Sequence, residues 1–189
     1  MTSQFRNPRS VDPRIVNSFW RAAGPARWFR KDERFDAEVG RRLGSLHYWA
    51  AAGMLDHLAT QSAEGALALL ILLDQVPRNM FRGSARAFAT DGHAREVARY
   101  AVSRGLDSRI PRAMRAFFYL PFMHSEDEND QELCLALYRQ MGDEGGAHWA
   151  QVHLDIIRQF GRFPHRNAAL GRDTTHDEAR FLAEGGFAG

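Results

Sequence analysis

The sequence predicts an all-α protein of about nine to ten helices of modest length, joined by short connections into antiparallel pairs that stack as a bundle or a solenoid-like arc. Three observations carry this. Apolar residues recur at steps of three and four along most of the chain. No stretch alternates with period two. Capping residues, prolines and glycines fall where helices of 10 to 20 residues must begin and end.

Asp12-Pro13 is an N-cap and first-turn pair, and Val16, Phe19 and Trp20 give the short first helix its apolar stripe. Gly24-Pro25 restarts the chain into Trp28 and Phe29. Asp32 caps a longer helix carrying Phe35, Val39, Leu43, Leu46 and Trp49, which ends near Gly53. Ser62 opens a helix through Leu67, Leu70 and Ile71 to Asp74, expected to stop near Val76 because Pro77 disfavours helical geometry before it. Ser84 and Asp91 cap a short and then a longer helix, closed by Arg104-Gly105. Pro111 begins a helix through Met114, Phe117 and Phe118 that Pro121 ends or kinks. Ser125 with Glu128 reads as a capping box leading into Leu133, Leu137 and Met141, with an interruption at Gly145-Gly146. The next helix places Trp149, Val152, His153, Ile156, Ile157 and Phe160 on one face and halts at Gly161. Thr175 with Glu178 is a second capping box, before Phe181 and Leu182. A core of Phe19, Trp20, Trp49, Leu70, Phe117, Leu137, Ile156 and Phe160 is expected.

With 44% hydrophobic and 25% charged residues the chain lies in the ordinary globular range. A single helical domain over 1–189 is expected, with a subdivision near 105–110 as the alternative and poorly ordered ends at 1–11 and 184–189. Met1 to Ser10 lacks the apolar stretch of an export signal, which places the protein in the cytoplasm. The longest apolar run, Ala66 to Leu73, is less than half of the roughly 20 residues that cross a bilayer. Cys134 is the lone cysteine and shares a face with Leu137, Tyr138 and Met141, as an inert core thiol does. The net charge is only +2 and acidic residues are interspersed with arginine, so neither nucleic acid nor membrane is expected as a partner.

Three stretches resemble a known family: Asp74-Gln75-Val76-Pro77-Arg78-Asn79-Met80-Phe81-Arg82-Gly83 with its continuation to Asp91; Phe118-Tyr119-Leu120-Pro121-Phe122-Met123-His124-Ser125-Glu126-Asp127; and Gly161-Arg162-Phe163-Pro164-His165-Arg166-Asn167. Together they resemble the bacterial domain-of-unknown-function family numbered 924, from about residue 15 to residue 183. The resemblance implies a tetratricopeptide-like, all-helical fold and brings no activity. Where Val76 stands the family more commonly has Phe, a packing change.

The polar residues of these stretches are the candidate site: Asp74, Gln75, Arg78, Asn79, Arg82, His124, Glu126, His165, Arg166 and Asn167. Asp74 lies one turn beyond Leu70 and Ile71, so its carboxylate is expected to be buried and to need Arg78. Gln75 and Asn79 are placed to tie down carbonyls at a helix end, which makes a structural ion pair plus turn the plainer reading. The sharper reading has Arg78, Arg82 and Arg86 facing an anion near Gly83-Ser84. Acidic residues after His124 complement a helix dipole. A metal would need His124, Glu126 or Asp130, and a further histidine, His153 or His165, with no His-x-x-x-His pair to supply them. His153, on an apolar face, reads as a hydrogen-bonded core histidine. No nucleophile elbow occurs, and Cys134 has no local base.

Each candidate sits at a helix terminus beside an apolar segment, so the expectation is that they meet around one polar site. Three functions follow from it. The first is a non-catalytic module recognising a peptide or protein in a polar groove. The second is a small-molecule enzyme or sensor, with a small anionic ligand in a His/Glu/Arg pocket. The third is a metal-dependent protein. No cofactor is expected, and neither a reaction nor an oligomeric state follows from the sequence.

Overall fold

The computed structural model describes residues 7–188. Their regular secondary structure is entirely helical, with no strand among them. The helical segments outnumber the expected nine or ten because one-turn pieces such as Pro25–Trp28 and Asn167–Leu170 stand apart from the longer helices. The chain divides into two compact units. One runs to Arg82 and resumes from Arg86 to Pro121; the other takes Gly83–Ala85 and everything from Phe122. The division at Pro121–Phe122 differs from the 105–110 region, which lies inside the first unit.

In the first unit the expected caps form. Asp12 accepts from Arg14 N at 2.9 Å and starts α1 (Pro13–Ala23), which Gly24 ends at φ +73°. After α2 (Pro25–Trp28), Asp32 accepts from Arg34 N and Phe35 N and starts α3 (Glu33–Ala51). Ser62 accepts from Gly65 N at 3.0 Å, so α4 (His57–Gln61) is followed at once by α5 (Ala63–Leu70). Gly65 is required there, since a Cβ would lie 2.2 Å from Leu58 O. The apolar run Ala66–Leu73 is fully buried, as α5 packs against α1 and against α7 (Asp91–Ser103). Trp20, also fully buried, is ringed by Phe35 at 5.9 Å and Phe117 at 6.1 Å.

Pro77 does not stop the chain. Ile71–Gln75 widens into a π-helical turn and leads directly into α6 (Val76–Met80), with Val76 N–H donating to Ile71 O five residues back. A proline clashes with the carbonyl four residues earlier and has no N–H to give it, so the wider turn is the way through. Pro121 is likewise inside α8 (Arg112–Met123) and does not end it.

In the second unit α9 (Glu128–Met141) and α10 (Glu144–Phe160) form an antiparallel hairpin. Arg158, late in α10, pairs with Glu128 and Glu132, early in α9. The cap of α9 is Asp127, which accepts from Asn129 N at 2.8 Å; Ser125 instead donates to Asp130 Oδ2 at 2.8 Å, so the box expected from Ser125 and Glu128 is replaced. Gly145-Gly146 does not interrupt anything. Asp143 caps α10 through Gly146 N, and Gly146 lies where a Cβ would meet the Tyr138 ring at 2.2 Å. Gly161 ends α10 in the left-handed region, φ +68°, as expected. The short α11 (Asn167–Leu170) precedes α12 (His176–Ala183), which opens with the expected Thr175–Glu178 capping box.

Of the expected core, Trp20, Leu70, Phe117, Leu137 and Ile156 are buried, whereas Phe19, Trp49 and Phe160 are only half-buried. Trp149 is 50% exposed, although spacings of four and seven residues put it on the same face of α10 as His153 and Ile156. Cys134 is fully buried, and that burial pushes its thiol well above the usual range. Of the ends expected to be poorly ordered, residues 1–6 and 189 lie outside the described residues. Within the rest, Asn7 caps a 3-10 turn, Val11 is buried, and Phe187 packs beside Ile156 and Phe163.

Candidate functional site

The ten candidate residues divide between the units. Asp74, Gln75, Arg78, Asn79 and Arg82 belong to the first, and His124, Glu126, His165, Arg166 and Asn167 to the second.

The first group is organised by the π turn. With no N–H on Pro77, one carbonyl of the turn before it loses its helical donor, and four carbonyls in succession accept from side chains. Leu72 O accepts from His47 Nδ1–H at 2.9 Å, and Leu73 O from the Thr90 hydroxyl. Asp74 O accepts from Arg78 Nη1 at 2.7 Å, and Gln75 O from Asn79 Nδ2 at 2.9 Å. His47 is thereby fixed as the Nδ1–H tautomer, and burial lowers its basicity, helped by Arg86 and opposed by the Leu72 carbonyl.

Arg78 also binds two carboxylates. Its Nη1 lies 3.1 Å from Asp74 Oδ1, and both its terminal nitrogens grip Asp91, at 2.9 and 3.0 Å. Burial works against the guanidinium charge, but Asp74 and Asp91 outweigh it and hold the Arg78 pKa above its ordinary value. Gln75 Nε2 donates to Asp74 Oδ2 at 2.6 Å. Arg82 pairs with Asp36, Nη2 to Oδ1 at 2.9 Å, and reaches Asn79 Oδ1 at 3.3 Å. Arg86 lies over the Phe81 ring at 3.8 Å. These arginines are committed to carboxylates, carbonyls and a ring, so the plainer of the two readings, an ion pair plus turn, describes the geometry.

The second group is knitted by residues the sequence did not single out. Arg172 grips Glu126 with two nitrogens, 2.7 and 2.9 Å, and donates Nε to Asn167 Oδ1 at 3.0 Å. Glu126 Oε1 also accepts from Phe163 N at 2.8 Å. Burial pushes the Glu126 carboxyl up, yet the Arg172 and Phe163 hydrogen bonds outweigh it and hold it below the usual range. Asn167, fully buried, donates to Glu178 Oε2 at 3.2 Å. Glu178 is the far anchor: Arg162 Nε reaches it at 2.6 Å, and that bond is the main cause of a carboxyl pKa lowered to about 2.

Arg166 is buried against the Phe163 ring at 4.5 Å and donates Nη1 to His124 O at 2.9 Å. His153 is the hydrogen-bonded core histidine expected, its Nδ1–H on Trp149 O at 2.8 Å. Burial, reinforced by His124 and Arg166, lowers its pKa to about 4. His165 is lowered to about 4 as well, by burial first and then by Arg166, His153 and His124.

Among the described residues no group of three or more His, Cys, Asp or Glu side chains is placed to hold a metal ion. No described helix is long and apolar enough to cross a membrane. No candidate residue lines either of two open depressions on the surface. One, of about 370 Å³ beside the α9–α10 turn, is lined by residues including Arg139, Asp143, Glu144, His148 and Gln151. The other, of about 670 Å³, is lined by residues including Arg9, Met54, His57 and Gln61.

The residues missed are Asp91, Thr90 and His47 in the first unit, and Arg172, Arg162 and Phe187 in the second. Thr90 and Asp91 close the first family-like stretch, so that stretch carried a signal for them. Arg162 stands in the third such stretch, whereas His47, Arg172 and Phe187 come from elsewhere in the chain, and spacing gives no hint of them.

A family model described as bacterial protein of unknown function (DUF924) matches residues 16–186. No curated protein matches the chain. A solved structure of a protein of unknown function from Agrobacterium tumefaciens is 44% identical, covering 92% of this chain and 97% of that one, with a TM-score of 0.88.

Proposed function

Because the chain belongs to the DUF924 family of bacterial proteins of unknown function, which brings no activity with it, we propose from its geometry a non-catalytic binding module that recognises a peptide or protein. The observation that carries this reading is the open depression beside the α9–α10 turn, whose Arg139, Asp143, Glu144, His148 and Gln151 offer both charges and several donors and acceptors. The polar residues of the family motifs, by contrast, are engaged with backbone carbonyls and buried partners, which suits a framework better than a reaction centre. A tetratricopeptide-like stacking of helical pairs is the architecture in which such a module works, and the antiparallel α9–α10 hairpin is consistent with one such pair. Openness also favours a peptide over a small ligand, which needs enclosure.

The test is a selection of displayed random peptides on the full chain, repeated with Arg139→Glu and His148→Ala. Enriched peptides should bind with a dissociation constant of about 1–100 μM and lose most of that affinity on the variants. Peptides that bind the variants equally well, or a selection that enriches none, would remove the reading.

A further inference from the structure

Phe187 is brought to its place by glycine. After α12, Gly185 turns left-handed at φ +87°, its N–H donates to Leu182 O at 3.4 Å, and Gly186 N–H donates to Phe181 O at 2.9 Å. This pair of bonds is the Schellman closure of a helix. A Cβ at Gly186 would lie 2.5 Å from the end of the Phe181 ring, so a side chain there would have to displace that ring. The chain then lays Phe187 back against α10, outside any regular secondary structure.

There Phe187 completes a cycle of four rings. Phe163 to His153 is 5.4 Å between centroids, His153 to Phe187 is 4.5 Å, Phe187 to His165 is 5.3 Å, and His165 to Phe163 is 5.6 Å. The Trp149 ring stands 6.1 Å from Phe187 on the outer side. Phe187 is only half-buried, so ring and side-chain packing is what holds it.

The groups around this cycle favour negative charge. The charges of His124 and Arg166 act on His153, and those of Arg166, His153 and His124 on His165, where the Glu126 carboxylate works the other way. Glu126 is neutralised by its two-nitrogen grip from Arg172. His165 Nδ1 is buried without a hydrogen-bond partner, a state that costs free energy until something binds it. The Phe187 ring thus lies against His165, whose Nδ1 is unsatisfied and which stands in the field of the Arg166 guanidinium.

We infer that the space taken by Phe187 is a binding site for a small aromatic carboxylate, with Phe187 as a resident lid that such a ligand displaces. The ligand ring replaces the Phe187 ring between His153 and His165, and its carboxylate turns toward His165 in the field of Arg166. An anion there favours protonated imidazole, so binding and the charging of His153 and His165 reinforce each other. This site shares no residue with the depression on which the peptide reading rests, and the two stand or fall separately.

Phenylacetate is the probe, and the histidine ring signals of the full chain in solution are the readout. Phenylacetate should raise the titration midpoints of His153 and His165 while leaving exposed His176 as it was. Acetate, which lacks the ring, and phenethylamine, which reverses the charge, should move neither. In Phe187→Ala the lid no longer competes, so half-saturation by phenylacetate should come at a concentration about tenfold lower. Midpoints that stay fixed at about 50 mM phenylacetate, far above a millimolar dissociation constant, would overturn the site. So would equal shifts with acetate or phenethylamine. Unchanged affinity in Phe187→Ala would overturn the lid.

Discussion

Arg78 binds Asp74 twice, through the backbone carbonyl at 2.7 Å and through the carboxylate at 3.1 Å. One guanidinium therefore serves the helix interrupted by Pro77 and also the charge buried beside it. Replacing Arg78 with Ala removes a hydrogen-bond donor and the guanidinium shared by Asp74 and Asp91, both nearly inaccessible to water. A loss of about 3–5 kcal/mol is expected in a denaturant titration. Arg78→Lys should recover only part of it, because an ammonium cannot reproduce the two-nitrogen grip on Asp91.

Thr90 tests the same turn without touching a charge. Thr90→Val keeps the shape and removes the hydroxyl that serves Leu73 O, at a cost of about 1–3 kcal/mol. A thermal melt indistinguishable from the parent would mean that the carbonyl finds another donor.

Gly146 is fixed by its neighbour. An added methyl would lie 2.2 Å from the Tyr138 ring, so Gly146→Ala should destabilise by about 1–3 kcal/mol despite the higher helix propensity of alanine. Gly145→Ala, in the same first turn of α10, meets nothing closer than the Asp143 carboxylate at 3.6 Å and should be tolerated. Paired melts of the two variants check the contrast.

Acid should destabilise the second unit in two stages. His153 and His165 have folded pKa values of about 4, below the ordinary 6.5, so the folded state holds them neutral. The stability they contribute is complete above pH 6.5 and is lost as the pH falls from 6.5 toward 4. Glu178, lowered from 4.5 to about 2, contributes stability that is present above 4.5 and lost as the pH falls toward 2. Denaturation followed across this range should show His153→Gln and His165→Gln flattening the first stage, and Glu178→Gln the second.

Ile156 and Trp149 lie on one helix with opposite fates. Ile156→Ala should cost about 2–5 kcal/mol, as expected for a residue 3% exposed. Trp149→Ala, at a site 50% exposed, should cost far less. Equal losses would mean that Trp149 is packed more closely than its exposure indicates.

The helices and most of their ends were legible because caps and periodicity are local. Asp12, Asp32, Ser62 and Thr175 accept from backbone N–H groups two or three residues on. Asp74 and Arg78 could be paired from a spacing of four. The further partners of this turn could not, because Asp91 is 13 residues from Arg78, and His47 is 25 from Leu72. The cap of α9 lies two residues beyond Ser125: Ser125 and Asp127 both present an oxygen there, and Ser125 gives its hydroxyl to Asp130. Arg172 escaped notice because an arginine in a polar loop looks solvated until Glu126 is brought to it from 46 residues away. The π turn was hidden for a similar reason: the rule that proline halts a helix holds only where nothing else serves the stranded carbonyls.

An α-helix advances about 100° per residue, and the single extra residue held in the wide turn at Ile71–Gln75 resets that angle for everything after it. Deleting one residue from this segment would therefore shorten no loop. It would rotate α6 by nearly a third of a revolution, carrying Arg78 away from Asp91 and Arg82 away from Asp36 together. Among relatives of this chain, substitutions in the segment should thus be far commoner than changes of its length.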